Sequence, residues 1–351
     1  MKFDFVIGNP PYQQEQESTD IDSSSKNYAP PVYNLFMDAA NEIADKVELI
    51  HPARFLFNAG STPKAWNTKM LNDEHFKVLE YEPNSDKVFP GLSVPIKGGI
   101  AITYHDNGKR FGAIEAFAQF PEVNSVAQKV SSSKDFVSLM NIVFSRTAYR
   151  LTDNMHLDFP EAITKLSKGH AYDMASNIFD RLPEIFYDEK PNDGEKYIKI
   201  LGRYNNQRTY KYIKRKYVND VENLEYYKLL VPQANGNGTF GEIIGGAVIE
   251  EPNVGNTETF ISIGKFSTYD EANALKKYIS TKFARTLLGI LKVTQNGNKP
   301  VWKMIPLQDF TSSSDIDWSQ SIANIDKQLY KKYNFSDEEI NFIETNVKEM
   351  E

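Results

Sequence analysis

The chain has 351 residues, 40% hydrophobic and 25% charged, which is enough for two domains with separate cores and unlike a disordered polypeptide. It has no cysteine, which excludes disulfide frameworks and thiolate metal sites, and its five histidines show no ligand spacing, so no metal is expected. A net charge of -7 speaks against indiscriminate binding to polyanions, and nothing approaches the about 20 apolar residues of a membrane span or the form of a signal peptide, so the chain reads as cytoplasmic.

Residues 3–8, FDFVIG, form a short apolar run stopped by two prolines, which predicts a buried strand with Asn9 at its carboxyl end. Residues 13–30 are rich in Gln, Glu, Asp and Ser and predict a mobile loop. The stretch 31–45, PVYNLFMDAANEIAD, predicts a helix with Val32, Leu35, Phe36, Ala39, Ala40 and Ile43 on its apolar face, leading into the strand VELIHP. A helix at 62–73 and strands at 76–82 and 97–106 continue the alternation, which predicts an open α/β sheet with its ligand site off the carboxyl ends of the strands. There Asn9, His51-Pro52 and the Phe89 turn would converge. Beyond about residue 130 the alternation fails. SSSKD at 131–135 reads as a linker, 269–291 as a helix, and Ser336 with Glu339 as a capping box before a final helix.

Asn9-Pro10-Pro11-Tyr12 is the most specific local signal, because each residue has a task in methylating a planar exocyclic amine. The lone pair of such a nitrogen is delocalised into its ring. Acceptors at the Asn9 side-chain carbonyl and the Pro10 backbone carbonyl can take its two N–H donors and favour a more nucleophilic, pyramidal nitrogen. The prolines fix that backbone, and Tyr12 offers a face on which a flipped base can stack.

FDFVIGNPPY at 3–12 resembles the hallmark of the gamma-class adenine-N6 DNA methyltransferases of restriction-modification systems. PVYNLFMDAANEIAD, LIHPARFLF and KVFPGLSVPIKGGIAITYHD are similar to the family's following segments, and KLLVPQANGNGTFGEI, NTETFISIG and VWKMIPLQDF more loosely to its recognition region. The resemblance implies a partial doubly wound, Rossmann-like sheet from the NPPY strand onward, plus a mixed α+β target-recognition domain. Its implied divisions are 1–130 for the catalytic motifs, 131–310 for recognition and 311–351 as a helical segment. It further implies S-adenosylmethionine as cofactor, with Phe36 and Asn9 beside it, and Phe89 packed against the target adenine together with Tyr12.

The family's glycine-rich cofactor turn, with its acidic residue, should precede the NPPY strand and is absent; no glycine follows Gly297, so a permuted order is excluded too. A partner supplying the cofactor-binding half, or self-association through the strand at 3–8, is therefore expected. Gly236-Asn-Gly238-Thr-Phe-Gly241 fits G-x-G-x-x-G but leads into IIGGAVIEEP, which is no helix, and is rejected as a nucleotide loop. Residues 196–217 carry Lys196, Lys199, Arg203, Arg208, Lys211, Lys214, Arg215 and Lys216 without one acidic residue, the composition of a surface that tracks phosphates on double-stranded DNA. Arg285, Lys292, Lys299 and Lys303 are a weaker candidate. No Glu-x-Lys nuclease signature occurs. Two other readings stand beside methylation of DNA adenine: a DNA-recognition subunit without catalysis, and an NPPY methyltransferase acting on RNA or protein glutamine.

Overall fold

The computed structural model describes residues 3–13, 30–57, 61–91, 96, 98–114 and 116–350. The mobile loop expected at 13–30 falls almost entirely outside them. The described chain forms two compact units, Met1–Asn124 and Ser125–Glu351, joined through the helix Pro121–Ser131. Residues 311–351, expected as a segment of their own, pack within the second unit: Phe283 stacks on Tyr333 and Phe335, and the Asp326 carboxylate accepts the amides of Lys282 and Phe283 at 3.0 and 2.8 Å.

The first unit contains β1 (Phe3–Gly8), α1 (Tyr33–Ile43), β2 (Ala44–Pro52), α2 (Lys64–Leu71), β3 (Phe76–Glu82), α3 (Ser85–Val88) and β4 (Ile100–Asp106). They make one sheet in the order β1-β2-β4-β3. The alternation is α/β as expected, but β4 runs against both of its neighbours, so the sheet is mixed and not uniformly parallel. β1 lies at the edge.

The helix at α1 buries a different face from the one its pattern suggests. Tyr33, Asn34, Met37 and Ala40 are buried, whereas Leu35, Phe36, Ala39 and Ile43 are not. Tyr33 wins the core side because its ring lies parallel to His51 at 5.6 Å and also meets Phe55 and Trp66.

His51 is fully buried in that aromatic cluster. Its Nδ1 lies 3.1 Å from the Pro52 carbonyl, which can only accept, so Nδ1 carries the proton and Nε2 accepts the Thr103 hydroxyl at 2.7 Å. The ring is thus held neutral, and burial pushes its pKa down to about 4. An unfolded chain takes up a proton on this residue near pH 6.5 that the folded state refuses, so stability is complete above that pH and falls as pH drops towards 4. The loss is on the order of 3 kcal/mol. We expect His51→Phe to be about 1 to 3 kcal/mol less stable at pH 8, because the Thr103 hydroxyl is orphaned, yet to lose less than the wild type between pH 6.5 and 4. Urea midpoints across that range measure both effects.

The second unit holds β5 (Val143–Phe144), β6 (Tyr197–Tyr204), β7 (Gln207–Lys214), β8 (Tyr227–Pro232), β9 (Val248–Glu250), β10 (Val254–Asn256) and β11 (Phe260–Phe266). They form two sheets, β10-β6-β7 and β5-β11-β8-β9. The helix expected at 269–291 is two helices, Tyr269–Ser280 and Lys282–Leu291, because Thr281 takes an extended backbone and its hydroxyl caps the second by accepting from Ala284 N–H at 3.1 Å. The capping box of Ser336 and Glu339 is formed.

Candidate active site

Strand direction decides where the candidate residues meet. β1 and β2 are parallel, with Gly8 opposite Leu49. β4 is antiparallel to both β2 and β3, so β3 runs with β1 and β2, and Pro52, Ile100 and Glu82 align across the sheet. The segments leaving β1, β2 and β3 therefore emerge at one end. They are Asn9–Tyr12, the turn after Pro52, and Asn84–Phe89.

The structure brings Tyr12 and Phe89 together, with ring centroids 6.5 Å apart and planes inclined by 60°. Pro10 is buried, Tyr12 half-buried, and Asn9 and Pro11 are exposed. The Tyr12 carbonyl accepts from Val32 N–H at 3.2 Å, and Gln13 bridges to Pro31, which ties the turn to the start of α1. The Tyr12 hydroxyl is buried without an aligned partner; burial pushes its pKa up to about 12, against the opposing effect of the neighbouring Asn9 side chain. Phe89 is held from its own side. Its amide donates to the Ser85 carbonyl at 2.8 Å, the Asn84 side chain caps α3, and the buried Ser85 hydroxyl accepts from Ile96 N–H at 2.9 Å.

Phe36 is 47% exposed and makes no ring contact with Tyr12 or Phe89 among the described residues. It stands one helical turn beyond the Val32 anchor, its amide donating to the Val32 carbonyl at 3.3 Å. Asn34, which sequence reasoning passed over, is buried in the first turn of α1 with its side-chain carbonyl unpartnered. An amide inside the apolar run VYNLF was the available signal.

The basic segment 196–217 is a β-hairpin, β6 and β7, followed by a single turn at Arg215–Tyr217. Its cations divide into two groups. Lys211 is buried and pairs with Asp188 at 2.6 Å, Lys214 pairs with Glu195 at 3.3 Å, Lys216 with Asp158 at 2.7 Å, and Arg215 with Asp220. These four cations, expected to contact phosphate, each already have a carboxylate partner, Asp158 and Asp188 from distant sequence and Glu195 and Asp220 from the flanks of the segment. Lys196, Lys199, Arg203 and Arg208 are exposed and make no ion pair among the described residues. Lys199 lies over the Tyr212 ring, Arg208 over Phe260, and Arg203 donates to the Asn206 side-chain carbonyl at 2.8 Å.

The glycine-rich 236–241 turn is closed to phosphate. The Glu242 carboxylate accepts the amides of Asn237 and Gly238 at 2.8 and 3.1 Å and pairs with Lys292. Arg285 is likewise buried, donating to the carbonyls of Ser280, Gly241, Glu242 and Lys348. Two of the four cations of that weaker candidate group, Arg285 and Lys292, are therefore structural.

At this end of the sheet, then, an exposed amide follows an edge strand and the rings of Tyr12 and Phe89 meet. The model of the Eco57I restriction-modification methylase family matches residues 1–89, the span from β1 to Phe89. An adenine-specific methylase of Mycoplasma pneumoniae is 29% identical over 143 residues, 40% of this chain and 32% of that protein. The N-terminal unit is thus similar, from β1 to Phe89, to the restriction-modification methylase family. Among solved structures, the type IIG restriction endonuclease BpuSI superimposes on 92% of this chain and 48% of its own, at 10% identity and a TM-score of 0.34. The type IIL restriction-modification enzyme MmeI, in complex with DNA, covers 98% of this chain and 56% of its own, at 10% identity and a TM-score of 0.33. These overlaps are too loose to carry an argument about this chain. It spans about a third of the curated relative's length and about half of each enzyme's.

Proposed function

We propose that this chain carries the amine-activating half of an S-adenosylmethionine-dependent adenine-N6 DNA methyltransferase of a restriction-modification system. The observation that carries the reading is the convergence of Asn9, Tyr12 and Phe89 at the carboxyl end of β1. The Asn9 side-chain carbonyl and the Pro10 carbonyl accept the two N–H bonds of the adenine amine, and the rings of Tyr12 and Phe89 hold the flipped base. S-adenosylmethionine supplies the methyl group. The exposed ring of Phe36 and the exposed Asn9 fit one wall of its site, and the glycine-rich turn and ribose-binding acid come from outside these 351 residues. The unpaired edge of β1, with Phe3, Phe5 and Ile7 exposed, supports pairing there with the half that brings them, or with a second copy. The unpaired cations Lys199, Arg203 and Arg208 favour DNA over protein glutamine as substrate.

Asn9→Ala removes an acceptor that acts mainly in the transition state. In the assembled enzyme it is expected to lower kcat by roughly 100- to 1000-fold while leaving DNA affinity nearly unchanged, whereas Tyr12→Ala weakens both. Full activity of Asn9→Ala would remove the assignment.

The second test concerns the cations. Replacing Lys199 and Arg208 by Ala is expected to weaken binding to all duplexes and to flatten the slope of log affinity against log salt by about 1 for each phosphate that loses its cation. Replacing Lys214 and Lys216 should change that slope less, since carboxylates already hold them. Equal slopes in the two double variants would count against this face.

A further inference from the structure

We propose that the tip of the β6–β7 hairpin, Arg203–Arg208, enters the major groove of duplex DNA and selects sequence there, with Arg203 and Gln207 on base edges. This rests on the reading of the chain as DNA-binding.

The tip is a rigid projection. Gly202 passes between Phe179 and Thr257 so closely that a Cβ would stand 2.6 to 2.8 Å from their atoms, and Leu201 is buried against Leu230 and Phe260. Every residue from Arg203 to Arg208 is exposed. Two strand pairs, Arg203 with Arg208 and Tyr204 with Gln207, are closed by Asn205 and Asn206 at φ 49° and 62°, the left-handed backbone of a tight two-residue hairpin turn. At about 3.3 Å per residue the tip stands roughly 10 Å beyond Gly202. The major groove is about 8.5 Å deep and 12 Å wide and accepts a two-stranded ribbon.

Charge gives the same answer. Arg203 and Arg208 are direct cross-strand partners, and like charges so placed repel unless an anion lies between or beyond them. No carboxylate pairs with either among the described residues, although Lys211, Lys214, Arg215 and Lys216 each have one. The two arginines are not equivalent. Arg208 is set back over Phe260 and against Gly246, suited to a phosphate at the rim. Arg203 is braced by the Asn206 carbonyl through one N–H, which orients its remaining donors as the fork that matches guanine O6 and N7. Asn205 and Asn206 are explained by the turn. Gln207 starts β7, and its exposed amide can accept from and donate to an adenine edge.

The test uses the full chain and a pool of random-sequence duplexes, with the bound fraction sequenced. The wild type is expected to enrich a short motif. Arg203→Ala and Gln207→Ala should each lose preference at a base position and bind the enriched duplex roughly ten- to a hundred-fold more weakly, with non-specific affinity little changed. Arg203→Lys keeps the charge but not the fork, so it should fail to restore the motif. Restoration by Arg203→Lys, or an unchanged motif in both alanine variants, would overturn base reading while leaving a phosphate-binding face intact. No enrichment by the wild type would also overturn it. Absence of binding to any duplex at low salt, with Lys199→Ala indistinguishable from wild type, would instead sink the DNA reading beneath it.

Discussion

The candidate active site depends on one strand pair, the parallel ladder of β1 on β2. With Gly8 opposite Leu49, β2 runs three residues further before it ends at Pro52, while Pro10 and Pro11 lack the N–H donors a longer β1 would need. The chain must leave the sheet at Asn9, and it does so beside the continuing β2. That mismatch in length creates a step at the carboxyl edge, with Asn9 exposed and Pro10 buried beneath it. The step keeps its place because β2 is paired with β4 along its other side from Lys46 to Pro52, and because His51 is locked there by hydrogen bonds along and across the strands.

What could be read from sequence follows from how local the determinants are. FDFVIG-Asn-Pro-Pro carries its own stop signal, so the strand and its end were legible, but its burial was not: the strand expected inside lies at the sheet edge with Phe3, Phe5 and Ile7 exposed. The face of α1 was not. VYNLFMDAANEI presents apolar side chains nearly all round, and the choice fell to Tyr33 because a parallel stack with His51 awaits it, a partner that no periodicity reveals. The break at Thr281 was hidden for the opposite reason: both flanking segments are good helices, and only the hydroxyl cap distinguishes one helix from two.

Charge was the least legible property. A run of eight cations looks uncompensated in a window of 22 residues, yet Asp158 and Asp188 return to it through the fold, and Glu195 and Asp220 pair with it from just outside the window. Pairing lowers the field at Lys211, Lys214, Arg215 and Lys216 and leaves it at Lys196, Lys199, Arg203 and Arg208. A net negative chain can in this way present a small, directed positive surface, since Coulomb attraction to a polyanion depends on the nearest charges and is screened beyond about 8 to 10 Å.

Apart from Leu79 on β3, the large apolar exposures described in the first unit fall on two consecutive elements. Phe3, Phe5 and Ile7 project at alternate positions of β1, and Leu35, Phe36 and Ile43 from α1. Among the described residues, no strand pairs with the outer edge of β1. Side chains and backbone thus ask for the same kind of neighbour, one that adds a strand and an apolar face together; a loop or a charged surface would satisfy neither. Phe5 and Ile7 share the sheet face of Glu48 and Tyr104, whereas α1 packs on the opposite face through Tyr33 and His51, so the two exposed apolar sets lie on either side of the β1 edge.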